Sequence, residues 1–206
     1  MNRRLKAVCM VAAMVVAPIS LVTASAPALA QATDPAVAQV RGFYDVLVAA
    51  MKSGGTTKAR YDRLKPAIDK AFDLAGMTAT AVGPTWGTLA DADKKALMDA
   101  FARMTIANYA KNFDSFDGET FTVEPASIAR GTDHFVKSLL KTSNQTIAFN
   151  YRMHQVGNDW KISDVYLAGN ISQMAQKRSD FAATLASSGP QGLAKKINAL
   201  ADQTLN

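Results

Sequence analysis

Cysteine is almost missing from this chain: the 206 residues hold one, Cys9, close to the N-terminus. If the leader described below is removed, no thiol remains. Disulfides, thiol catalysis and thiolate metal sites are then excluded. Histidine is nearly as scarce. His134 and His154 are the only two, and neither has a second histidine or a carboxylate cluster at metal-ligand spacing. Both are expected as ordinary surface or edge residues, with no metal and no cofactor. No G-x-S-x-G nucleophile elbow is present. Gly118 and Gly157 stand alone, so no glycine-rich phosphate loop appears either. Dense basic blocks are also lacking, and nucleic-acid binding has no support.

The N-terminal segment is unlike the rest. Arg3, Arg4 and Lys6 form a basic start, an apolar run follows to about Val22 with a break at Pro18, and Ala28-Leu29-Ala30 fits a small-x-small cleavage site. Residues 1–30 therefore read as a secretory signal peptide, with a mature chain from Gln31. The mature balance is 20 basic against 17 acidic residues, or +3. Residues 31–206 are long enough to bury one core without disulfides and are read as a single domain.

Periodicity gives helices first. Val37, Val40, Tyr44, Leu47, Val48 and Met51 form one stripe over 36–51, with Asp34 as cap and Pro35 in the first turn. A short helix over 58–64 is expected next, then another starting at Pro66, since proline is tolerated at a first helical position. Trp86, in the loop 83–87, should plug the edge of a core. A long helix over 90–113 carries Leu97, Phe101 and Met104 on one side. Ile106, Tyr109 and Phe113 lie on another, so it should be buried on two sides.

Strands follow over 119–130 and 133–142, with Pro125 marking an edge or a bulge. The strongest local signal is the hairpin over 145–172, turned at Gly157-Asn158. A two-residue loop pairs Gln155 with Trp160, Met153 with Ile162, Tyr151 with Asp164 and Phe149 with Tyr166. In that register Phe149, Tyr151, Met153, Trp160, Ile162 and Tyr166 share an inner face with one carboxylate, Asp164. That face is either solid core or the wall of an apolar cavity. Helices resume after Gly169 and break at Ser187-Ser188-Gly189-Pro190. The order predicts an α+β fold, with N-terminal helices packed on a curved antiparallel sheet of about four strands and helices at the C-terminus.

Asp164 has two readings. A carboxylate in an apolar pocket has a raised pKa and can act as a general base, with Tyr151 or Tyr166 polarising a carbonyl in an isomerase- or dehydratase-like reaction. The structural alternative is that it accepts hydrogen bonds at the sheet end, or pairs with Arg178 of the following helix. The structural role is preferred, because no second catalytic group is evident.

The run Trp160-Lys161-Ile162-Ser163-Asp164-Val165-Tyr166, then Gly169, Ser172, Arg178 and Phe181, resembles the signature of the MlaC-like, or toluene-tolerance, periplasmic lipid carriers. Lys177 stands where that family often has tyrosine, and one extra residue separates Gly169 from Ser172. In these departures the chain looks more like the branch associated with hopanoid biosynthesis, HpnM. Tyr109 and Phe113, followed by Gly118-Glu119-x-Phe121, match less specifically, and the likeness spans about 37–200. The resemblance implies a cone like that of nuclear transport factor 2. It also implies a cavity for lipid tails, and shuttling of phospholipid or hopanoid between an inner-membrane complex and an outer-membrane partner, which maintains outer-membrane lipid asymmetry. On that reading the lipid-binding residues are Phe101, Met104, Tyr109, Phe113, Phe149, Tyr151, Met153, Ile162 and Tyr166. Asp164 and Arg178 are structural polar residues, and the chain is not an enzyme. Cone folds also host enzymes, so fold alone does not decide function.

Overall fold

The computed structural model describes residues 34–206. The expected signal peptide, 1–30, and the mature start at Gln31 lie outside the described residues. Four helices precede the sheet: α1 (Pro35–Lys52), α2 (Thr57–Ala71), α3 (Leu74–Val82) and α4 (Asp91–Asn112). The strands are β1 (Thr120–Val123), β2 (Ile128–Arg130), β3 (Asp133–Val136), β4 (Ser138–Lys141), β5 (Thr146–Val156), β6 (Asp159–Leu167) and β7 (Ile171–Ser172). Helix α5 (Gln173–Leu205) closes the chain and is interrupted at Gly189, whose φ of 66° leaves the helical region.

The seven strands reduce to four paths and a short edge. β3 and β4 run along the same side of β5, and Val136↔Tyr151 and Leu139↔Ala148 belong to one continuous register. β1 pairs with β4, and β2 with β3. The expected strands over 119–130 and 133–142 are therefore each present in two pieces. The first is interrupted around Pro125, where a missing N–H breaks the ladder. β6 lies on the other side of β5, and β7 pairs with β6. The result is an open antiparallel sheet with helices packed against it, the α+β arrangement the pattern predicts.

Local chemistry explains most helix limits. Asp34 caps α1, accepting from the amides of Ala36 at 2.9 Å and Val37 at 3.3 Å. The expected break before Pro66 does not occur: α2 runs through it. Proline deprives only the Asp62 carbonyl of a partner, and both residues are exposed, so water replaces the lost bond. Leu64, Ile68 and Ala71 keep the buried stripe intact across the site. The chain breaks instead at Phe72, which bridges to Ile162, and Asp73 then caps α3 through the Gly76 amide at 3.0 Å. Trp86 lies in a 3-10 turn and packs half-buried against the core. Buried Arg60 donates to the Ala110 carbonyl of the last turn of α4 at 2.8 Å and to Gly55 O at 2.6 Å. It thus ties α2 to a helix end that would otherwise be unsatisfied.

Asp34 also anchors the start of α1 to the sheet. Its Oδ2 accepts from the Ser127 amide at 2.9 Å and from the Ser127 hydroxyl at 2.6 Å. Ser127 Oγ lies 2.6 Å from His134 Nδ1. The single hydroxyl proton goes to Asp34, so the imidazole N–H donates to Ser127 and cannot serve it as a base. Burial opposes ionisation of Asp34, but the bonds from Ser127, Val37 and Ala36 outweigh it and hold the carboxyl below its usual value of 3.8. A carboxylate with a depressed folded pKa contributes stability that is complete above the unfolded pKa and is lost as pH falls through the folded value. Asp34→Ala should therefore cost about 1–2 kcal/mol in thermal or urea melts at neutral pH. The gap to the parent should shrink as pH drops below about 4. A gap that persists unchanged at about pH 2 would show that the charge is not the source.

Candidate functional site

A cavity of about 340 Å³ opens between α4, the first turns of α5 and the sheet. That falls within the ~300–1,000 Å³ typical of small-molecule pockets. Helix α4 supplies Phe101, Met104 and Tyr109 to it, with Phe113 just beyond the helix end. The sheet supplies Leu140, Ile147, Phe149, Val165 and Leu167. Phe72 and Met77 line it from the α2–α3 corner, and Met174 from α5. Tyr109 and Phe113 stack at 5.7 Å, Phe113 leans on Phe149 at 6.4 Å, and Phe72 meets Tyr109 edge-on at 5.6 Å. The wall is thus a connected aromatic surface. Its polar members are Thr105, Asn108 and Asn112 of α4, and Gln173 and Lys177 of α5.

A β-bulge in the hairpin decides which β6 side chains reach the cavity. Gln155↔Trp160 and Met153↔Ile162 pair as the sequence predicts, across a two-residue turn with Gly157 at φ 63°. The register then shifts: Arg152 pairs with Asp164, Tyr151 with Val165 and Phe149 with Leu167. Ser163 is the extra residue, and the slip exchanges faces beyond it. The expected pairs Tyr151–Asp164 and Phe149–Tyr166 are therefore corrected. Val165 and Leu167 turn inward, while Tyr166 sits opposite Asn150 and packs against Phe135 at 5.9 Å.

Five of the nine expected lipid-binding residues line the cavity: Phe101, Met104, Tyr109, Phe113 and Phe149. Tyr151, Met153 and Ile162 are fully buried in the core and do not line it. Tyr166 is on the other face. Sequence reasoning missed the polar stripe 105, 108 and 112, although its helical spacing beside Phe101 and Met104 was readable. Val165 and Leu167 were hidden by the bulge.

Two phenols, Tyr44 and Tyr151, stand behind the wall, and a third, Tyr109, stands in it. The Tyr44 hydroxyl lies 2.6 Å from Ser138 Oγ, and Ser138 donates to the Phe149 carbonyl at 2.5 Å. Tyr151 meets Tyr44 edge-on, with ring centroids 5.9 Å apart. Burial pushes the Tyr44 phenol up to about 12 and raises Tyr109 and Tyr151 as well. All three stay neutral at physiological pH and act as hydrogen-bonding groups, not bases.

Asp164 does not line the cavity. Its Oδ1 accepts from the Val165 amide at 2.8 Å and the Met174 amide at 3.1 Å, and its Oδ2 from the Ser172 hydroxyl at 2.5 Å. Those bonds clamp β6 to the start of α5 and commit the carboxylate, so the general-base reading lacks its geometry. Arg178 is exposed, its guanidinium lies against Gly83, and no Asp164–Arg178 ion pair is found among the described residues. His154 Nε2 lies 2.9 Å from Asp73 Oδ2, and the His134 ring lies against Trp160 at 4.3 Å. Among the described residues, no group of three or more His, Cys, Asp or Glu could hold a metal ion. No described helix is long and apolar enough to cross a membrane.

Fold and cavity together define a helix-on-sheet binding domain with an aromatic pocket. The family model described as MlaC protein matches residues 42–199, and the chain belongs to that family. Among solved structures it is similar to a phospholipid-binding protein from Ralstonia solanacearum, determined in complex with a phospholipid. Identity is 22%, the TM-score is 0.73, and the match covers 83% of this chain and 99% of that one. Comparison with curated proteins gives no match. The structural likeness establishes the fold.

Proposed function

We propose that the chain is an exported lipid carrier. The observation that carries this reading is the lining of the cavity: aromatic and aliphatic walls, no carboxylate, and polar groups confined to two helices. A site without an acid–base pair is suited to holding a molecule, not to transforming it. At about 30 Å³ for each water-sized group, the cavity has room for roughly ten methylenes, or most of one acyl chain. Burying ten methylenes contributes about 8 kcal/mol, enough for selective capture of a tail that water rejects.

Residues 1–30 direct export and are removed after Ala30, leaving 31–206 as a periplasmic lipid-binding domain. Its cargo is a phospholipid or a hopanoid-type lipid, moved between an inner-membrane complex and an outer-membrane partner. Family membership and the phospholipid held by the Ralstonia neighbour support the first cargo. The spacing of Gly169 and Ser172 and the lysine at position 177 support the hopanoid-associated branch.

One preparation tests these points together. Protein exported to the periplasm should have the intact mass of a chain starting at Gln31. Organic extraction and mass spectrometry should release stoichiometric acyl or hopanoid lipid. A mature chain that keeps residues 5–25 removes the export reading. A lipid-free extract from natively purified protein removes the carrier reading.

A further inference from the structure

The cavity carries a charge of one sign. Of its lining residues, Lys177 is the only one charged at neutral pH, and none is an acid. Lys177 lies on α5 one turn after Gln173, and both line the cavity together with the polar stripe Thr105, Asn108 and Asn112 of α4. Carboxamides from both helices thus line the same cavity as the Lys177 side chain, and Gln173 Nε2 also donates to the Ile171 carbonyl at 3.5 Å. The first amides of α5 are not free to hold an anion. Asp164 takes the Met174 N–H at 3.1 Å, and Ser172 Oγ takes that of Ala175 at 3.0 Å. Among the described residues Lys177 Nζ has one acidic partner, Asp180, at 3.5 Å on a half-exposed side chain outside the cavity. Such an exposed pair is weak and can be exchanged for a better-placed anion.

We infer that Lys177, with the amides of Asn108, Asn112 and Gln173, forms a headgroup subsite selecting lipids whose tail ends in an oxyanion, either phosphate or carboxylate. The inference rests on the carrier reading and adds a rule of selection to it. The apolar wall takes the tail with no preference of charge. The Lys177 ammonium attracts an oxyanion and repels a cationic amine, while the carboxamides, which can both donate and accept, turn their N–H groups to whatever acceptor the ammonium holds. Asp180 acts against the selection by holding the ammonium on the solvent side.

The test uses three oleoyl ligands with one tail and different headgroups: lysophosphatidylglycerol, lysophosphatidylcholine and monoolein. Each is titrated into delipidated mature protein by calorimetry. The parent should bind the anionic ligand about tenfold more tightly than monoolein, with lysophosphatidylcholine between them. Lys177→Met should bring the anionic-to-neutral ratio to about one, Lys177→Arg should keep it, and Asp180→Asn should raise it. Reading a ratio removes any uniform loss of tail binding. A parent ratio of one, or a ratio that survives in Lys177→Met, overturns the headgroup assignment alone. Failure to bind any of the three overturns the carrier reading with it. Inorganic phosphate at millimolar concentration, against sodium chloride of equal ionic strength, should leave the ratio unchanged. A ratio lost only in phosphate would assign the subsite to a free anion and overturn a lipid headgroup as its ligand.

Discussion

Met153→Glu should fail to fold, whereas Phe149→Glu should fold and purify without lipid. The two side chains sit on the same inner face of β5, four residues apart, and they differ in what lies above them. Met153 is fully buried and does not line the cavity. A carboxylate there has neither water nor a partner and costs several kcal/mol, comparable with the whole stability of a domain. Phe149 is half-buried and lines the cavity. Once the lipid leaves, water enters and hydrates the new carboxylate, so the cost is limited to the aromatic packing lost against Phe113. Circular dichroism reads folding, and mass spectrometry of the extract reads cargo. Aggregation of both variants would mean that the cavity wall behaves as solid core. A folded Phe149→Glu protein with full cargo would place the lipid elsewhere.

Asp164→Ala should destabilise by about 3 kcal/mol in urea unfolding, because it orphans the Val165 and Met174 amides and the Ser172 hydroxyl together. Its effect should extend to binding, since the clamp positions the first turns of α5, which bring Gln173, Met174 and Lys177 to the cavity. Asp164→Asn should cost less, keeping one acceptor oxygen. Arg178→Leu should change stability by no more than about 0.5 kcal/mol, as expected for an exposed residue. The double variant Asp164→Ala/Arg178→Leu should be additive. A coupling of 1 kcal/mol or more between the two would restore the ion pair suggested by their order in the sequence.

Much of the fold was readable because its causes are local. Asp34 and Pro35 announce α1 by capping and by a missing N–H that the first turn does not need. Gly157-Asn158 announces the hairpin because few residues adopt φ 63° without strain. Gly189-Pro190 announces the interruption of α5 for the same kind of reason. The two-sided burial of α4 follows from side-chain spacing alone: Phe101 and Met104 on one side and Ile106 on another are all buried. The scarcity of cysteine and histidine likewise limits the available chemistry without reference to any structure.

Tertiary structure decided the rest. Pro66 is tolerated because α2 shows that turn to solvent, and solvent exposure is not a property of the turn itself. The bulge at Ser163 has no local signal. Alternation along β6 reads equally well in either register, and packing against β5 and α5 fixes the one in which Asp164 meets Ser172 and Met174. Tyr166 changed faces for that reason, and Val165 and Leu167 took the inward places. The division between core and cavity was also beyond the sequence. Phe149 and Met153 carry the same pattern of hydrophobicity, and only the separation between helix and sheet above each one leaves space over the first and none over the second.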